Sequence, residues 1–408
     1  MKILNDGGIT SAKGFMAASV AAGIKYQGRE DMALLLSSVP AVCAGTFTSN
    51  VVKAAPVLWD QNIVHEGGVA QAVIVNAGIA NACTGDEGYE ICVKTADALE
   101  RVRQIPFELT LLASTGVIGV QLPLDKLTEG VRVMAESLSD SAEAGHAAAR
   151  AIMTTDTRPK EIAVSFEVGG KPAVLGGMCK GVGMIHPNMC TMLSFLTTDI
   201  SISRDLLQEA LSEDVKETYN MISVDGDTST NDTCLLLANG EAGNAEISEK
   251  NEDYRVFCEA LHTVNDFLAR QMAGDGEGAT ALFVADVSGA PSKEAAKKLA
   301  RSVVSSSLVK AAICGHDANW GRVFCALGYA GVEFDPYKVD LIFESKAGKV
   351  MVAKDGMAAA FSEELATQIL SEEEVTAHIL MHQGDGQAQA YGCDLTHGYV
   401  DINADYRS

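Results

Sequence analysis

The sequence predicts a mixed α/β fold in which strands cluster into sheets and helices cover those sheets. Two observations lead to this prediction. Short apolar segments recur along the chain, and stretches with apolar residues at helical spacing lie between them. The 38 glycines are spread through short runs between these segments, as expected where strands end in tight turns. These patterns do not predict the order of the strands in a sheet.

The strand predictions begin with a hairpin signal. Gly169-Gly170 is a two-residue turn sequence, so the flanking segments 161–168 and 171–176 are predicted to pair. The segment 192–197 is nearly all apolar, which predicts a strand that is buried on both faces. The other predicted strands cover residues 71–75, 108–113, 280–287 and 339–344.

Four helices are predicted from stripes of apolar residues. Ser203 and Ser292 precede two of these stripes and are candidate N-caps. A fourth helix is predicted over residues 362–381. The stripes of the first three helices are Leu207, Leu211, Val215 and Tyr219; Tyr254, Phe257, Leu261 and Leu268; and Ala295, Leu299 and Val303.

The charge balance argues against a nucleic acid or a membrane surface as partner. The chain has 31 basic and 54 acidic residues, for a formal net charge of -23. A polyanion gains no affinity for phosphate backbones through counterion release, and an anionic membrane repels it. No apolar stretch approaches the ~20 residues of a membrane span, and the first ten residues do not resemble a signal peptide.

The ten cysteines are scattered and none forms a C-x-x-C pair, so a zinc knuckle is not expected. Most lie among apolar or small residues, as Cys314 and Cys325 do, which predicts buried and reduced thiols. Reduced thiols are typical of a reducing compartment, and the sequence therefore predicts a cytoplasmic protein.

The stretch 177–193 carries the most chemical information. Its glycines and Pro187 predict a tightly turned backbone, and the buried strand begins directly after Thr191. If the peptide bond before Thr191 breaks, the new α-amine lies beside the hydroxyl of the same residue. Nucleophile and base are then combined, because an α-amine with a pKa near 7.7 can accept a proton at neutral pH. Without further information, however, such a threonine is more often an ordinary strand residue.

A resemblance to a known family favours the chemical interpretation. The run from Lys180 to Leu193 closely resembles the processing site of the glutamate/ornithine N-acetyltransferases of arginine biosynthesis, the ArgJ family. Similar motifs follow one another in the family's order along the whole chain. They are Gly14–Lys25, Val52–Val57, Asn76–Asn81, Ser114–Gly119, Thr154–Asp156, Asp275–Thr280, Asp317–Arg322 and Tyr399–Ser408.

The resemblance implies an ArgJ/DmpA-like sandwich of sheets covered by helices, of the self-processing N-terminal-nucleophile type. Cleavage between Cys190 and Thr191 would give an α chain of residues 1–190 and a β chain of residues 191–408. Two copies of each would form a heterotetramer. The family usually has alanine before the cleaved threonine, but cysteine is small, so we expect processing to survive. Cys190 as the nucleophile is the less favoured alternative, because its side chain lies on the acyl side of the cut.

The resemblance also implies the activity. Thr191 would take acetyl from N2-acetylornithine as an ester and pass it to glutamate in a ping-pong reaction. Thr115 and Gly116 match the family's oxyanion pair. The substrate-binding positions of the family are matched by Thr154, Lys180, Thr191, Glu277, Asn403 and Ser408. These residue types suit an amino acid, since cations and hydroxyls bind a carboxylate and an acidic side chain binds an amine.

Several alternatives stay open. A self-processing amidase or peptidase would release the acyl group to water, and a binding protein of the same fold would be neither cut nor active. Acetyl-CoA is an additional candidate donor, and no bound cofactor is expected. His186, His316 and His397 lack the spacing of metal ligands, so no metal is expected. The glycines at 274, 276 and 278 do not form a dinucleotide fingerprint.

Overall fold

A computed structural model describes residues 1–186 and 192–404 of this chain. These residues form two compact units. The first contains residues 1–181, 192–220 and 228–268, and the second contains residues 182–186, 221–227 and 269–404. Among the described residues, no helix is both long enough and apolar enough to cross a membrane.

The strands of the two units form two sheets. In chain order the strands found within residues 1–186 and 192–404 are β1 Lys2–Ile3, β2 Phe15–Val20, β3 Met32–Phe47, β4 Val69–Ile79, β5 Thr110–Val117, β6 Lys160–Val168, β7 Lys171–Lys180, β8 Leu193–Thr198, β9 Ile222–Ser223, β10 Thr233–Ala238, β11 Leu282–Ala290, β12 Asp340–Ser345, β13 Gly348–Lys354, β14 Met357–Ala358, β15 Glu374–Leu380 and β16 Gly386–Cys393.

The helices lie between these strands in the sequence, except the last helix, which follows β16. In the same described ranges they are α1 Ala55–Asn62, α2 Gly85–Arg103, α3 Leu124–Glu136, α4 Ala142–Ala151, α5 Arg204–Glu217, α6 Glu252–Gly274, α7 Lys293–Ser305, α8 Ser307–Cys314, α9 Trp320–Gly328, α10 Glu363–Leu370 and α11 His397–Ala404.

The first unit is built on a nine-stranded sheet that is buried on both faces. Its strands follow the order β1-β6-β7-β8-β10-β3-β4-β5, and β2 pairs with β3 beside this path. Successive side chains of a strand point to opposite faces. Along β3, Met32 and Leu34 therefore belong to one hydrophobic core, and Ala33 and Leu35 belong to the core on the other face. The mixed α/β fold class is confirmed.

The two halves of the sequence are interleaved in this sheet. Strand β8 lies between β7 and β10, antiparallel to β7 and parallel to β10, and β10 in turn pairs with β3. Two central strands of the sheet thus come from residues beyond 191, while the other strands come from residues before 181. All six residues of β8 are buried, including its three hydroxyl residues, and the predicted burial of residues 192–197 is confirmed.

The second unit is built on a seven-stranded sheet with the order β14-β13-β12-β15-β11-β16-β9. Its apolar core contains Phe283, Leu299, Val323 and Ile369, contributed by β11, α7, α9 and α10. Along β15, buried side chains alternate with exposed or half-buried ones. A sheet with one covered face has this pattern.

Most of the predicted elements are confirmed, with shifted ends. The hairpin forms as β6 and β7, and Gly169 and Gly170 both have positive φ, as a tight hairpin turn requires. Ser292 caps α7 by accepting a hydrogen bond from the N–H of Ala295. Ser203 precedes α5 but makes no capping bond through its side chain. Helix α5 ends at Glu217, so Tyr219 of the predicted stripe lies in a 3-10 turn, where it is fully buried.

The predicted helix over residues 362–381 is wrong in its second half. The helix ends at Leu370, and residues Glu374–Leu380 form β15 between β11 and β12. Exposed or half-exposed side chains alternate with Val375, Ala377 and Ile379, which are fully buried. This two-residue period is typical of a strand. The same three apolar residues also fit a continuation of the helical stripe, which explains the wrong prediction.

The cysteines are less uniformly buried than predicted. Among the described cysteines, which form no disulfide, Cys43, Cys92, Cys179, Cys234 and Cys393 are buried, whereas Cys83 and Cys325 are exposed. In α9, Val323, Ala326 and Leu327 face the core, and Cys325 points outward because of the helical period. An apolar neighbourhood in the sequence was therefore insufficient to predict burial.

Truncation of β8 tests its place at the centre of the first sheet. Phe195 is fully buried, and Phe195→Ala should lower the free energy of unfolding by about 3–5 kcal/mol because it leaves a cavity. Val51, which is 93% exposed, provides the control, since Val51→Ala should change stability by less than about 0.5 kcal/mol. Urea unfolding of both variants checks this, and equal midpoints would contradict the placement of β8.

Candidate active site

The structure brings together some of the predicted site residues in each unit. In the first unit Thr115, Thr154 and Lys180 lie close together, and we call them, with Asp156 and Lys160, the lysine cluster. In the second unit Glu277 and Asn403 are in contact, and we call them, with Asp225 and Tyr399, the carboxylate cluster. The predicted cleavage residues Cys190 and Thr191 and the predicted ligand Ser408 lie outside the described residues.

The predicted oxyanion pair lies at the end of β5. This strand pairs with β4 in parallel, and Gly116 is opposite Gly78. Both glycines have φ values that other residues rarely adopt, +129° at Gly116 and +110° at Gly78. A Cβ atom on Gly116 would lie 2.1 Å from the carbonyl carbon of Gly78. Position 116 therefore requires glycine for both conformation and space.

Lys180 ends β7 and is one of the two cations of the lysine cluster. Its side chain is buried, and its Nζ donates a hydrogen bond of 2.8 Å to the hydroxyl of Thr154. A longer bond of 3.5 Å reaches the hydroxyl of Thr115. Two hydroxyls and one ammonium group therefore lie beside one another. Thr115 lies near the end of β5, Thr154 lies in a loop, and Lys180 ends β7.

Asp156 holds the lysine cluster together. One carboxylate oxygen accepts hydrogen bonds from Lys160 Nζ at 2.8 Å and from the N–H of Gly181 at 2.9 Å. The other accepts from the N–H of Thr154 at 3.1 Å and lies 3.8 Å from Lys180 Nζ. Burial by itself would raise the pKa of Asp156, but the two lysines and these hydrogen bonds outweigh it and hold the pKa well below its usual range.

Arg29 is a third cation in this region, and it fixes the loop that carries Thr154. Arg29 donates hydrogen bonds to the carbonyl oxygens of Met153, at 2.5 Å, and Thr154, at 3.4 Å. Its guanidinium lies 4.3 Å from the ring centre of Tyr26. Tyr26 has a raised pKa, mainly because it is partly buried. The backbone of Thr154 is therefore held by Asp156 on its N–H and by Arg29 on its carbonyl.

In the carboxylate cluster, Asn403 donates a hydrogen bond of 2.7 Å to a carboxylate oxygen of Glu277. Glu277 is buried, and its own N–H donates to the carbonyl of Val182 at 2.8 Å. A Cβ atom on Gly183 would lie 2.3 Å from the same carboxylate. The glycine therefore allows the backbone of the predicted processing segment to approach Glu277 closely.

Asp225 anchors the backbone next to the predicted processing site. Its carboxylate accepts hydrogen bonds from the N–H groups of Met184, at 2.6 Å, and Ile185, at 2.9 Å. Tyr399 donates its hydroxyl to the same carboxylate at 3.2 Å. Burial and the charge of Asp225 raise the pKa of Tyr399, which keeps the phenol protonated as a donor.

His186 also anchors this segment. Its Nδ1 lies 3.0 Å from the hydroxyl of Ser223, and its Nε2 lies 3.3 Å from a guanidinium nitrogen of Arg301. Burial and the positive charge of Arg301 lower the pKa of His186, so the ring favours the neutral form. These contacts fit a structural role for His186.

Sequence reasoning missed part of both clusters. Asp156 ends the Thr154–Asp156 motif, and the basic residue Lys160 four positions later is the sequence signal for their buried ion pair. The contacts of Asp225 and Tyr399 join residues that are far apart in the sequence, and no pattern predicts them. Chemically, the lysine cluster offers an ammonium group and hydroxyls to an anion, and the carboxylate cluster offers an acid and an amide to an amine.

Removal of the charge on Asp156 should destabilise the protein. Asp156→Asn leaves two buried lysines without their counterion, which should cost about 3–5 kcal/mol at pH 7. Because the native pKa is lowered, the carboxylate stabilises the fold above its unfolded pKa of about 3.9 and loses this contribution as the pH falls. The free energy of unfolding, measured with urea, should therefore differ less between Asp156→Asn and wild type below about pH 4 than at pH 7.

The exposed pair of Asp97 and Arg101 on α2 provides a matched control. Asp97→Asn makes the same chemical change at the surface and should cost less than about 1 kcal/mol. Equal effects of the two substitutions would show that Asp156 has no special role.

The model of the ArgJ family matches residues 16–408. A relative from Clostridium acetobutylicum, named arginine biosynthesis bifunctional protein ArgJ 1, is 49% identical over 408 residues, which are 100% of this chain and 99% of the relative. The bifunctional ArgJ protein of Thermotoga neapolitana is 48% identical over 97% of this chain and 99% of its own length.

A solved structure is also similar. The crystal structure of the arginine biosynthesis bifunctional protein ArgJ from Bacillus halodurans has 45% sequence identity and a TM-score of 0.50. The alignment covers 52% of this chain and 99% of the solved chain. From the matched family model and these full-length relatives, the chain belongs to the ArgJ family of arginine-biosynthesis enzymes.

Proposed function

We propose that this protein is a glutamate N-acetyltransferase that moves acetyl from N2-acetylornithine to glutamate by a ping-pong mechanism. The observation that carries the proposal is the arrangement of Lys180 with the hydroxyls of Thr115 and Thr154, in a chain of the ArgJ family. An amino-acid carboxylate is the kind of group that this buried cation and its hydroxyls bind.

The proposed maturation is a self-cleavage in front of Thr191. The Thr191 hydroxyl attacks the carbonyl carbon of Cys190, and the peptide C–N bond breaks as the acyl group moves from nitrogen to oxygen. Water then hydrolyses this ester, so that Cys190 gains a carboxylate and Thr191 keeps a free α-amine and its hydroxyl. The two products would be an α chain of residues 1–190 and a β chain of residues 191–408.

The proposed transfer uses the same hydroxyl twice. The α-amine of Thr191 takes the hydroxyl proton while the oxygen attacks the acetyl carbonyl of N2-acetylornithine. The proton passes to the departing amine, ornithine leaves, and an acetyl ester remains on Thr191. The amine of glutamate then attacks the ester, acetyl forms an amide with glutamate, and the threonine oxygen regains a proton.

The predicted oxyanion pair would stabilise the tetrahedral intermediate in both reactions. Loss of one such donor typically reduces the rate about 100- to 1,000-fold. The close approach of Gly116 to Gly78 supports this role, because it fixes the backbone around Thr115 without any side chain at position 116. In the same proposal Lys180 and Thr154 bind the substrate carboxylate, and Ser408 adds a hydroxyl.

The carboxylate cluster would bind the amine of the substrate. Glu277 supplies a negative charge with little exposure to water, and Asn403 holds one of its oxygens. A charge-assisted hydrogen bond to an ammonium group is stronger in such surroundings than at the surface.

The interleaved sheet supports the proposal that both chains stay together after cleavage. The proposed assembly of two copies of each chain follows from the family resemblance alone. Strands β8 and β10 would belong to the β chain but lie between strands of the α chain. The solved relative from Bacillus halodurans also supports cleavage, because 99% of its chain aligns to only 52% of this one. That solved chain is therefore about half as long as this sequence.

Use of acetyl-CoA as a second donor is part of the proposal, with no cofactor bound permanently. The word "bifunctional" in the names of the relatives supports a second activity for this chain. A cytoplasmic location is proposed from the free thiols of the described cysteines. An assay with acetyl-CoA and glutamate on the purified protein tests this donor directly.

Substitution of the proposed nucleophile tests both reactions. Thr191→Ala removes the hydroxyl, so the protein should stay a single polypeptide of 42.9 kDa and show no transfer of acetyl. Intact-mass measurement and N-terminal sequencing detect the cut, and an assay of N-acetylglutamate detects transfer. Thr191→Ser keeps a hydroxyl and an amine and should retain both reactions. A cleaved and active Thr191→Ala protein would refute the mechanism.

The need for glutamate as the acetyl acceptor distinguishes a transferase from an amidase or peptidase. With N2-acetylornithine alone, the transferase should release ornithine only once per active site, and glutamate should then permit continuous turnover. An amidase would release ornithine and acetate at the same rate with or without glutamate. A binding protein would show neither cleavage nor release.

Loss of the charge on Glu277 should weaken substrate binding. Glu277→Gln keeps the size and an acceptor oxygen but removes the negative charge, so KM for N2-acetylornithine should rise about 10- to 100-fold. Glu294, an exposed residue on α7, is the control, since Glu294→Gln should leave KM unchanged. Steady-state kinetics of both variants measure this, and equal KM values would remove Glu277 from the binding site.

A further inference from the structure

Asn231 is a buried side chain that links the ends of two strands in the first unit. It lies just before β10, and its side-chain nitrogen donates hydrogen bonds to the carbonyl oxygens of Ala80, at 2.6 Å, and Ser114, at 2.8 Å. Its side-chain oxygen accepts the hydroxyl of Thr230 at 2.7 Å. Because both the nitrogen and the oxygen are engaged, the amide has a single orientation.

The bond to Ser114 acts on the predicted oxyanion pair. The carbonyl of Ser114 and the N–H of Thr115 belong to one planar peptide group. A donor that fixes the carbonyl therefore also fixes the direction of this N–H and the Cα from which the Thr115 hydroxyl projects. The bond to Ala80 holds the residue that follows β4. Ala80 is two positions after Gly78, the residue that Gly116 closely approaches.

A second buried amide supports the same region. Asn76 on β4 accepts the hydroxyl of Ser114 at 2.6 Å and donates to the carbonyl of Ile79 at 2.9 Å. Asn76 and Ser114 are direct neighbours in the parallel pairing of β4 and β5. Residue 114 is thus held through its side chain by Asn76 and through its carbonyl by Asn231.

We propose that Asn231 is a positioning residue for the oxyanion pair Thr115 and Gly116, acting through the peptide group between Ser114 and Thr115. This inference rests on the proposed function. A donor to a tetrahedral intermediate must be placed before the reaction to within a fraction of an ångström. After the proposed cleavage Asn231 belongs to the β chain, while the oxyanion pair belongs to the α chain. The hydrogen bonds from Asn231 to Ala80 and Ser114 would then join the two chains.

The test compares two asparagines that make the same kind of contact. Asn244 donates hydrogen bonds to the carbonyls of Ser201 and Ala245, and neither carbonyl lies near β5 in the sequence or in the sheet order. Asn231→Ala and Asn244→Ala should each lower the melting temperature. Only Asn231→Ala should reduce kcat and the rate of self-cleavage, each about 10- to 100-fold, with KM for N2-acetylornithine within about twofold of wild type.

A double-mutant cycle with Thr115→Ala shows whether Asn231 acts through the oxyanion pair. If it does, the effects are not additive, and the variant with both substitutions should be at most about threefold slower than Thr115→Ala alone. Independent roles would instead multiply the two reductions in rate. If Asn231→Ala does not fold, Asn231→Asp replaces it, since aspartate has the same shape and loses both donated bonds.

Two results would overturn the inference. One is an equal kcat for the Asn231 and Asn244 variants, which would make Asn231 a purely structural residue. The other is a rise in KM with unchanged kcat, which would place Asn231 in substrate binding. Failure of the proposed function gives a different result, because wild-type protein would then be uncut or would transfer no acetyl.

Discussion

The lysine cluster depends on one buried carboxylate. Asp156 accepts hydrogen bonds from the N–H groups of Thr154 and Gly181. It also pairs with Lys160 and Lys180, so it fixes both the backbone and the charges around Lys180. Buried ions are costly unless they are paired and hydrogen-bonded, and the lowered pKa of Asp156 shows that its contacts outweigh the cost of burial. The two buried lysines that surround it therefore have a buried carboxylate as their counterion.

Both units draw on both halves of the sequence. The second half provides two central strands of the nine-stranded sheet, and residues 182–186 of the first half belong to the second unit, where Asp225 and His186 anchor them. A peptide bond can be lost from such a structure without loss of the contacts that hold its parts. Association of the proposed chains then rests on sheet hydrogen bonds and apolar burial.

The sequence predicted much of the fold because local patterns determine hairpins, caps and amphipathic helices. It failed for residues 374–380, where one apolar pattern permits either a helix or a strand, and for Cys325, whose exposure depends on the helical period. Thr115, Thr154 and Lys180, which were named from the family motifs, lie close together in the structure, and their predicted roles stay predictions. Asp225 and Asn231 were missed, because their roles arise from contacts between distant segments that no single-sequence pattern records.

The order of strands also constrains synthesis of the protein. While the ribosome has made only the first half, β7 and β3 both expose an unpaired edge, because β8 and β10 between them have not been translated. Such edges recruit other chains and lead to aggregation. Covalent continuity through residue 238 delivers the missing strands at high local concentration, so the intact chain assists its own assembly. Halves expressed from separate genes would lose this protection.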